Sequence, residues 1–124
     1  MVPLSRTDPR GHVAEAIARE HLEALGWRIL GSNVRVGRLE IDLLARDGDV
    51  LIVVEVRGRG PTSWQRPLDS VDFAKRGRLR AAAAQLWTSR YRQDRTLQRV
   101  RFDLVAVTWD AAGRPAVEHV RAAF

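Results

Sequence analysis

The 124-residue sequence contains no cysteine and only three histidines. The absence of cysteine excludes a disulfide framework, a thiolate zinc site and a cysteine nucleophile. With so few histidines, a bound metal would be held mainly by carboxylates, which favours a hard cation such as Mg²⁺ or Mn²⁺. Five prolines and nine glycines are too few for a low-complexity chain. The composition therefore predicts an ordinary globular protein.

Long apolar runs are also missing. The longest, Val50 to Val54, is far too short to cross a bilayer, and the first residues lack the apolar stretch of a signal peptide. We therefore expect a soluble, cytoplasmic protein with no membrane partner. The length predicts one domain over residues 11–124, preceded by a flexible tail over residues 1–10.

Positive charge is concentrated in the middle of the chain. The protein has 21 basic and 15 acidic residues, a net charge of +6, and its only lysine is Lys75. Residues 57–101 carry a net +9, whereas residues 1–56 carry −2. A basic segment beside an acidic one suits a polyanion and a cation respectively. A solvated arginine-rich helix face is the alternative explanation.

The hydrophobic periodicity predicts the order α-β-β-β-α-β-(β). Apolar residues at helical spacing indicate a first helix over 12–25, and an alanine- and arginine-rich stretch indicates a long helix over 69–91. Strands are predicted over 27–36, 39–46, 49–57 and 100–108, with a short edge strand over 116–120. A hairpin meander followed by a helical crossover implies an α/β fold with a mixed sheet.

Asp47-Gly48 separates two of these strands and is a strong hairpin signal. A two-residue turn at this dipeptide pairs Arg46 with Asp49. Side chains alternate between the faces of a strand, so one face of the hairpin is wholly apolar and should pack against the long helix. Its members are Ile41, Leu43, Ala45, Val50, Ile52, Val54 and Val56.

The other face of the hairpin collects acids at the end away from the turn. In this register Asp42 and Glu55 are diagonal neighbours with Cα atoms about 7–8 Å apart, so both carboxylates can reach one divalent cation. Glu40 lies directly opposite Glu55, and this like-charge pair needs a cation, a proton or an arginine to offset it. An exposed face with scattered charge is the alternative, but three apolar residues share the face and favour the floor of a cleft.

The hairpin and four other segments resemble the YraN-like family of bacterial proteins. The stretch LEIDLLARDGDVLIVVEVRGR is similar to that family's G-E-I-D-L-I-A and F-V-E-V-K-x-R motifs. The remaining matches are Gly11 with Glu15, Asn33 with Arg35, Lys75 with Arg78-Leu79, and Arg101-Phe102-Asp103. The resemblance covers roughly residues 11–108. It implies a restriction-endonuclease-like fold, similar to Holliday-junction resolvases and tRNA endonucleases, within the PD-(D/E)XK nuclease superfamily.

The resemblance also implies roles for individual residues. Asp42, Glu55 and the Val56 carbonyl would bind Mg²⁺ or Mn²⁺, with Glu15 as a further ligand. Arg57, which stands where the family has lysine, and Lys75 would flank the scissile phosphate. Several arginines would contact the nucleic-acid backbone without reading sequence, namely Arg59, Arg66, Arg76, Arg78 and Arg80.

The predicted function is therefore a metal-dependent endonuclease that recognises the structure of a nucleic acid rather than its sequence. DNA is favoured over RNA, and the resolvase-like relatives suggest a homodimer. Arginine cannot act as a general base near neutral pH, so Arg57 leaves a non-catalytic nucleic-acid-binding module as an alternative. A scaffold that joins a protein complex through the run Ala81 to Ala84 is a second alternative.

Overall fold

A computed structural model describes residues 9–59 and 72–124 of the chain. In these ranges the helices are α1 (Pro9–Ala24) and α2 (Phe73–Leu86), and a π-helical turn, Trp87–Tyr91, follows α2 directly. The strands are β1 (Arg28–Val36), β2 (Leu39–Asp47), β3 (Val50–Arg59), β4 (Arg99–Trp109) and β5 (Pro115–Val120). The predicted order and the α/β class are confirmed, including the short last strand.

The five strands form one mixed sheet in the order β1-β2-β3-β4-β5. β3 and β4 are parallel and are connected through α2, whereas all other neighbours are antiparallel. Parallel neighbours need such a crossover because a tight turn can only reverse the chain. The crossover places the start of α2 beside the end of β3.

The β2–β3 hairpin differs from the predicted register. Asp47 pairs with Val50, so Gly48 and Asp49 form the turn. Gly48 adopts φ +57° at the first central position, where type II′ turns favour glycine. The pairing therefore shifts by two residues, which keeps the faces unchanged but makes the predicted opposition of Glu40 and Glu55 wrong. The ladder ends at Leu43 and Val54, and its continuation would set Asp42 opposite Glu55.

A hydrophobic core lies on each face of the sheet. The face that holds Leu43, Ile52 and Val54 packs against α1 through small residues such as Ala14 and Ala18. The expectation that this face would meet the long helix is therefore wrong. α2 instead covers the opposite face through its own buried residues, and the partners in that cluster include Leu44, Leu51, Val53 and Leu104.

Both faces near the turn are apolar, so strand alternation alone did not distinguish which helix each would meet. Ile41 departs from the alternation and joins the cluster under α2, at the point where β2 separates from β3. The buried faces leave the polar ends of β2 and β3 between the two helices.

α1 begins earlier than predicted, since Pro9 and Arg10 are already helical. The remainder of the predicted tail, residues 1–8, lies outside the described residues. Among the helices described, none combines the length and the apolar character needed to cross a membrane.

Candidate active site

An open pocket of about 290 Å³ lies where β2 and β3 separate, between the first turns of α1 and α2. The residues around it come from four elements, so no single segment builds it. They are Gly11, Ala14 and Glu15 of α1, Leu39, Glu40 and Asp42 of β2, Glu55 to Gly58 of β3, and Lys75 of α2. The structure therefore brings together Glu15, Glu40, Asp42, Glu55, Arg57 and Lys75.

Asp42 and Glu55 are both removed from solvent, at 8% and 2% exposure. The Val56 backbone N–H donates to Asp42 Oδ2 at 2.9 Å. This bond replaces the ladder that ends one residue earlier, and it holds the Asp42 carboxylate across the gap between the strands. The two carboxyl groups come within hydrogen-bonding reach of each other.

Two cations contact one oxygen of Glu55. Lys75 Nζ lies 2.9 Å from Glu55 Oε1 and Arg57 Nη1 lies 3.1 Å from the same atom. Asp72 accepts a hydrogen bond from the Lys75 backbone N–H at 2.7 Å and so caps α2. Capping fixes the first turn of the helix, and that turn carries Lys75 toward Glu55.

Burial and the neighbouring Asp42 raise the pKa of Glu55 to about 7, although Arg57 and Lys75 oppose the shift. Two carboxylates in one dehydrated site resist simultaneous ionisation, which is a common cause of such a shift. Burial is the largest cause of the raised pKa of Glu55, so a cation bound beside both carboxylates would favour their ionised forms.

The second oxygen of Glu55 differs from the first in its contacts. Oε2 is buried and has no hydrogen-bond donor among the described residues. A buried acceptor without a donor costs about 1–3 kcal/mol, so a ligand that satisfies it would be favoured. Carboxylate oxygens are the ligands that a hard divalent cation prefers, so the chemistry of Asp42 and Glu55 fits the Mg²⁺ or Mn²⁺ that the sequence predicts.

The third and fourth ligands are less defined. Val56 lines the pocket, as does half-buried Glu15. Across residues 9–59 and 72–124, no group of three or more His, Cys, Asp or Glu side chains is arranged to hold a metal. The pair Asp42 and Glu55 is therefore the carboxylate centre, and Glu15 and the Val56 carbonyl remain predicted ligands.

The sequence of this chain matches a known protein family. The family model "Uncharacterised protein family UPF0102" matches residues 14–107, a range that includes β1 to β3, α2 and most of β4. The chain belongs to the UPF0102 family. The YraN-like resemblance of the sequence motifs is thereby confirmed.

UPF0102 proteins from distant bacteria align over nearly the whole chain. The one from Sorangium cellulosum is 46% identical over 92% of this chain and 79% of its own length. The one from Arthrobacter sp. strain FB24 is 39% identical over 92% of this chain and 94% of its own length. A third, from Ectopseudomonas mendocina, is 39% identical over 90% and 92% respectively.

The arginines predicted to bind nucleic acid are not equivalent in this UPF0102 protein. Arg78 and Arg80 are exposed on α2 and Arg76 is half-buried, while Arg66 lies outside the described residues. Arg59 differs from the expected surface position because it is only 1% exposed. Within the described ranges its guanidinium nitrogens have no hydrogen-bond partner, and burial together with nearby Arg57 lowers its pKa.

Glu40 is also accounted for in the UPF0102 structure. Its Oε2 lies 3.9 Å from Arg35 Nη1, and Arg35 is its register partner on β1. Each of the two acids therefore has its own cationic neighbours. Arg35 lies beside Glu40, while Arg57 and Lys75 lie beside Glu55.

A second polar cluster lies on the other side of the sheet, on the face that packs against α1. Asp103 is fully buried and accepts two hydrogen bonds from Arg101, at 2.8 and 2.9 Å. His119 Nε2 lies 2.8 Å from Asp103, and His119 Nδ1 lies 3.1 Å from His21 Nε2. The pairing of Asp103 with Arg101 follows from their i,i+2 spacing on one strand face. The histidine contacts join α1 to β5 across 98 residues of sequence, a separation that gave no local signal.

Proposed function

We propose that this UPF0102 protein is a metal-dependent endonuclease that hydrolyses phosphodiester bonds in structured nucleic acid. One observation carries the proposal, namely the buried Glu55 Oε2, which has no donor among the described residues and belongs to a carboxyl group that interacts with Asp42. A structural carboxylate would be expected to engage both oxygens with donors. Here one oxygen is neutralised by two cations and the other is left for a ligand.

The site residues divide the work between cation binding and phosphate binding. Asp42, Glu55 Oε2, the Val56 carbonyl and Glu15 would hold Mg²⁺ or Mn²⁺, which supplies water activation and neutralisation of phosphate charge. Arg57, with 13% of its side chain exposed, and Lys75 stand at the pocket wall. They can donate to the non-bridging oxygens of the scissile phosphate, where negative charge develops.

The substrate class follows from the charge distribution. Exposed Arg78 and Arg80 lie on the same helix as Lys75 and suit phosphates, which carry no sequence information. DNA is the proposed substrate in preference to RNA. A branched or flapped DNA is preferred, because contacts to the backbone recognise the shape of a nucleic acid and not its sequence. We propose in addition that the protein acts as a homodimer.

The replacement of the family lysine by Arg57 favours one competing function, a binding module without catalysis. The guanidinium stays protonated near neutral pH, so Arg57 cannot deprotonate the attacking water. The Lys75 ammonium contacts the same Glu55 oxygen, so the site still contains a lysine. For this reason we favour the enzyme over the binding module. The scaffold alternative is weaker, since Ala82 and Ala83 of the alanine run are buried in this protein's own core.

Cleavage of defined DNA substrates tests the proposal. Branched, flapped and single-stranded DNA are incubated with the purified protein in Mg²⁺, in Mn²⁺ and in EDTA. We expect cleavage only with metal, and loss of at least about a hundredfold in rate in Asp42→Asn and Glu55→Gln, because each removes a ligand charge. Glu20→Gln, which removes an exposed acid from α1, is the matched control and should cleave normally. Persistent DNA binding with no cleavage by the wild type would establish the binding module instead.

A further inference from the structure

The segment after α2 forms a second groove that the candidate active site does not use. It has a volume of about 800 Å³ and is lined by Thr88, Ser89, Arg90, Arg92, Gln93 and Arg95. All six lining residues are polar, so the groove is unsuited to an apolar peptide or a drug-like ligand, whose sites are mostly apolar. Three of the six lining residues are arginines, so the surface of the groove is basic.

The positive charge of this groove is not neutralised locally. Asp94 is the only acid between Trp87 and Gln98, and its carboxylate is already committed. Asp94 Oδ2 lies 3.3 Å from Arg46 Nη1, and Asp94 also accepts the Thr96 hydroxyl and, at 3.0 Å, the Thr96 backbone N–H. Among the described residues, no ion pair involves Arg90, Arg92 or Arg95.

The backbone that presents these arginines is anchored on its inner side. Trp87 and Tyr91 of the π-helical turn pack against the core cluster under α2, and buried Leu97 closes the segment. The hydroxyls of Thr88 and Ser89 bond back to helix carbonyls, at 3.1 and 3.5 Å. The donors left for a ligand are therefore three guanidinium groups and the amide of Gln93.

The groove is separated from the candidate active site by the length of α2. Lys75 and Leu86 are eleven residues apart, which corresponds to about 16 Å of α-helix. Arg78 and Arg80 are exposed between these two positions. A duplex advances about 3.4 Å per base pair, so the interval corresponds to about five base pairs.

We infer that the groove formed by residues 88–95 is a second binding surface for the phosphate backbone of a nucleic acid. Forked guanidinium groups match phosphate oxygens, and a row of basic residues matches a polymer with regularly spaced charges. The inference rests on the proposed function only in naming the polymer that also reaches Asp42 and Glu55. It predicts that one nucleic acid contacts the groove and the candidate active site together.

Equilibrium binding in EDTA tests the groove without catalysis. The probe is a fluorescent 16-base-pair DNA duplex, titrated with protein at several salt concentrations. The triple variant Arg90→Gln, Arg92→Gln, Arg95→Gln should raise the Kd about tenfold or more and reduce the salt slope by about 2–3, roughly one for each lost phosphate contact. The control is Arg19→Gln, Arg28→Gln, Arg114→Gln, which removes the same charge from exposed positions elsewhere and should change the Kd less than about threefold.

Duplex length provides the second readout. The wild type should gain affinity steeply between about 4 and 12 base pairs, because only the longer duplexes span the interval along α2. The groove triple variant should lose this extra gain and the control triple should keep it. Equal weakening by both triples, or an unchanged length dependence in the groove variant, would overturn the inference. So would unchanged duplex binding with loss of binding to phosphatidylserine vesicles, which would assign the groove to a lipid surface.

The outcomes for the two proposals are separable. In EDTA, where no metal-dependent cleavage occurs, the groove triple variant should lose duplex affinity whether or not the wild type cleaves DNA in Mg²⁺. A groove effect on binding without any cleavage would remove the endonuclease proposal and leave the groove inference standing. Thermal unfolding followed by circular dichroism checks that both triples fold.

Discussion

At the scale of single residues, Glu55 shows how one carboxyl group is divided between two tasks. Oε1 accepts from Arg57 and Lys75, and Oε2 is buried with no donor in the part of the chain that the structure describes. The first oxygen secures the side chain and the second remains available. The raised pKa of Glu55, caused by burial and then by Asp42, measures how poorly the metal-free site tolerates both charges.

The stability of the metal-free protein should decrease as pH rises through the Glu55 titration. The folded-state pKa of about 7 exceeds the ordinary value of 4.5, so the folded state binds more protons than the unfolded state in this interval. The free energy of unfolding should therefore fall between about pH 4.5 and pH 7 in wild type relative to Glu55→Gln. Urea unfolding in EDTA measures the difference. Adding Mg²⁺ should reduce the fall, and identical pH profiles for both proteins would contradict the prediction.

The replacement Arg57→Lys tests the departure from the family motif. We expect the cleavage rate to rise by about tenfold or more, because a compact ammonium can hold the attacking water while Lys75 still neutralises Glu55. Arg57→Ala should be slower than wild type, since it removes the charge altogether. Single-turnover cleavage at saturating protein measures the rates. A slower Arg57→Lys enzyme would show that the forked guanidinium serves the phosphate directly.

At the scale of elements, Asp103 connects β4 to β5 and to the chain beyond it. It accepts hydrogen bonds from Arg101, His119 and the Ala122 backbone N–H. Burial raises the pKa of Asp103, but these hydrogen bonds outweigh it and lower the pKa to about 2. Through His119 the same carboxylate reaches His21 on α1, so one acid links three elements.

Removing this acid should cost a large share of the stability. Asp103→Ala should lower the free energy of unfolding by about 3 kcal/mol, because it removes the fully buried acceptor of half-buried Arg101 and His119. The depressed pKa means that the contribution is present above about pH 4 and is lost as pH falls through about 2. Urea denaturation at pH 7 measures the effect. Glu118→Ala on exposed β5 is the control, with an expected change within about 0.5 kcal/mol, and an equally small effect for Asp103→Ala would contradict the prediction.

At the scale of the whole molecule, charge is segregated along the chain and in space. The acids of β2 and β3 meet in one pocket, and the arginines of α2 and the following turn form a basic side next to it. We expect this arrangement to attract a polyanion to the surface that adjoins the candidate cation site.

Nucleic-acid binding should therefore depend steeply on salt and weakly on sequence. Replacing Arg76, Arg78 and Arg80 with alanine should weaken binding to unrelated sequences by similar factors and reduce the salt slope by about 2–3. Fluorescence anisotropy with two duplexes of different sequence, from about 50 to 200 mM salt, provides the measurement. Absence of binding at about 50 mM salt would contradict the nucleic-acid proposal, and loss for only one sequence would contradict backbone recognition.

Hydrophobic periodicity predicted the positions of the helices and strands, but not which helix packs against which face of the sheet. The helix before β1, the hairpin and the crossover helix all occur where local apolar spacing predicted them. The turn was displaced to Gly48-Asp49 because glycine alone takes the positive φ of a type II′ turn without strain. The pairing of faces with helices was wrong because both strand faces are apolar near that turn, so alternation could not distinguish them.

The sequence by itself determined the family, the order of elements and the parity that puts Asp42 and Glu55 on one side of the hairpin. These depend on local spacing, which any chain of this pattern carries with it. Only the tertiary structure decided that Lys75 shares an oxygen of Glu55 with Arg57, that Arg59 is buried, and that His119 joins Asp103 to His21. The Lys75 contact forms only once the crossover has brought α2 beside β3. The His119 contacts form only once β4 and β5 lie beside α1, because side chains distant in sequence interact through packing rather than through spacing.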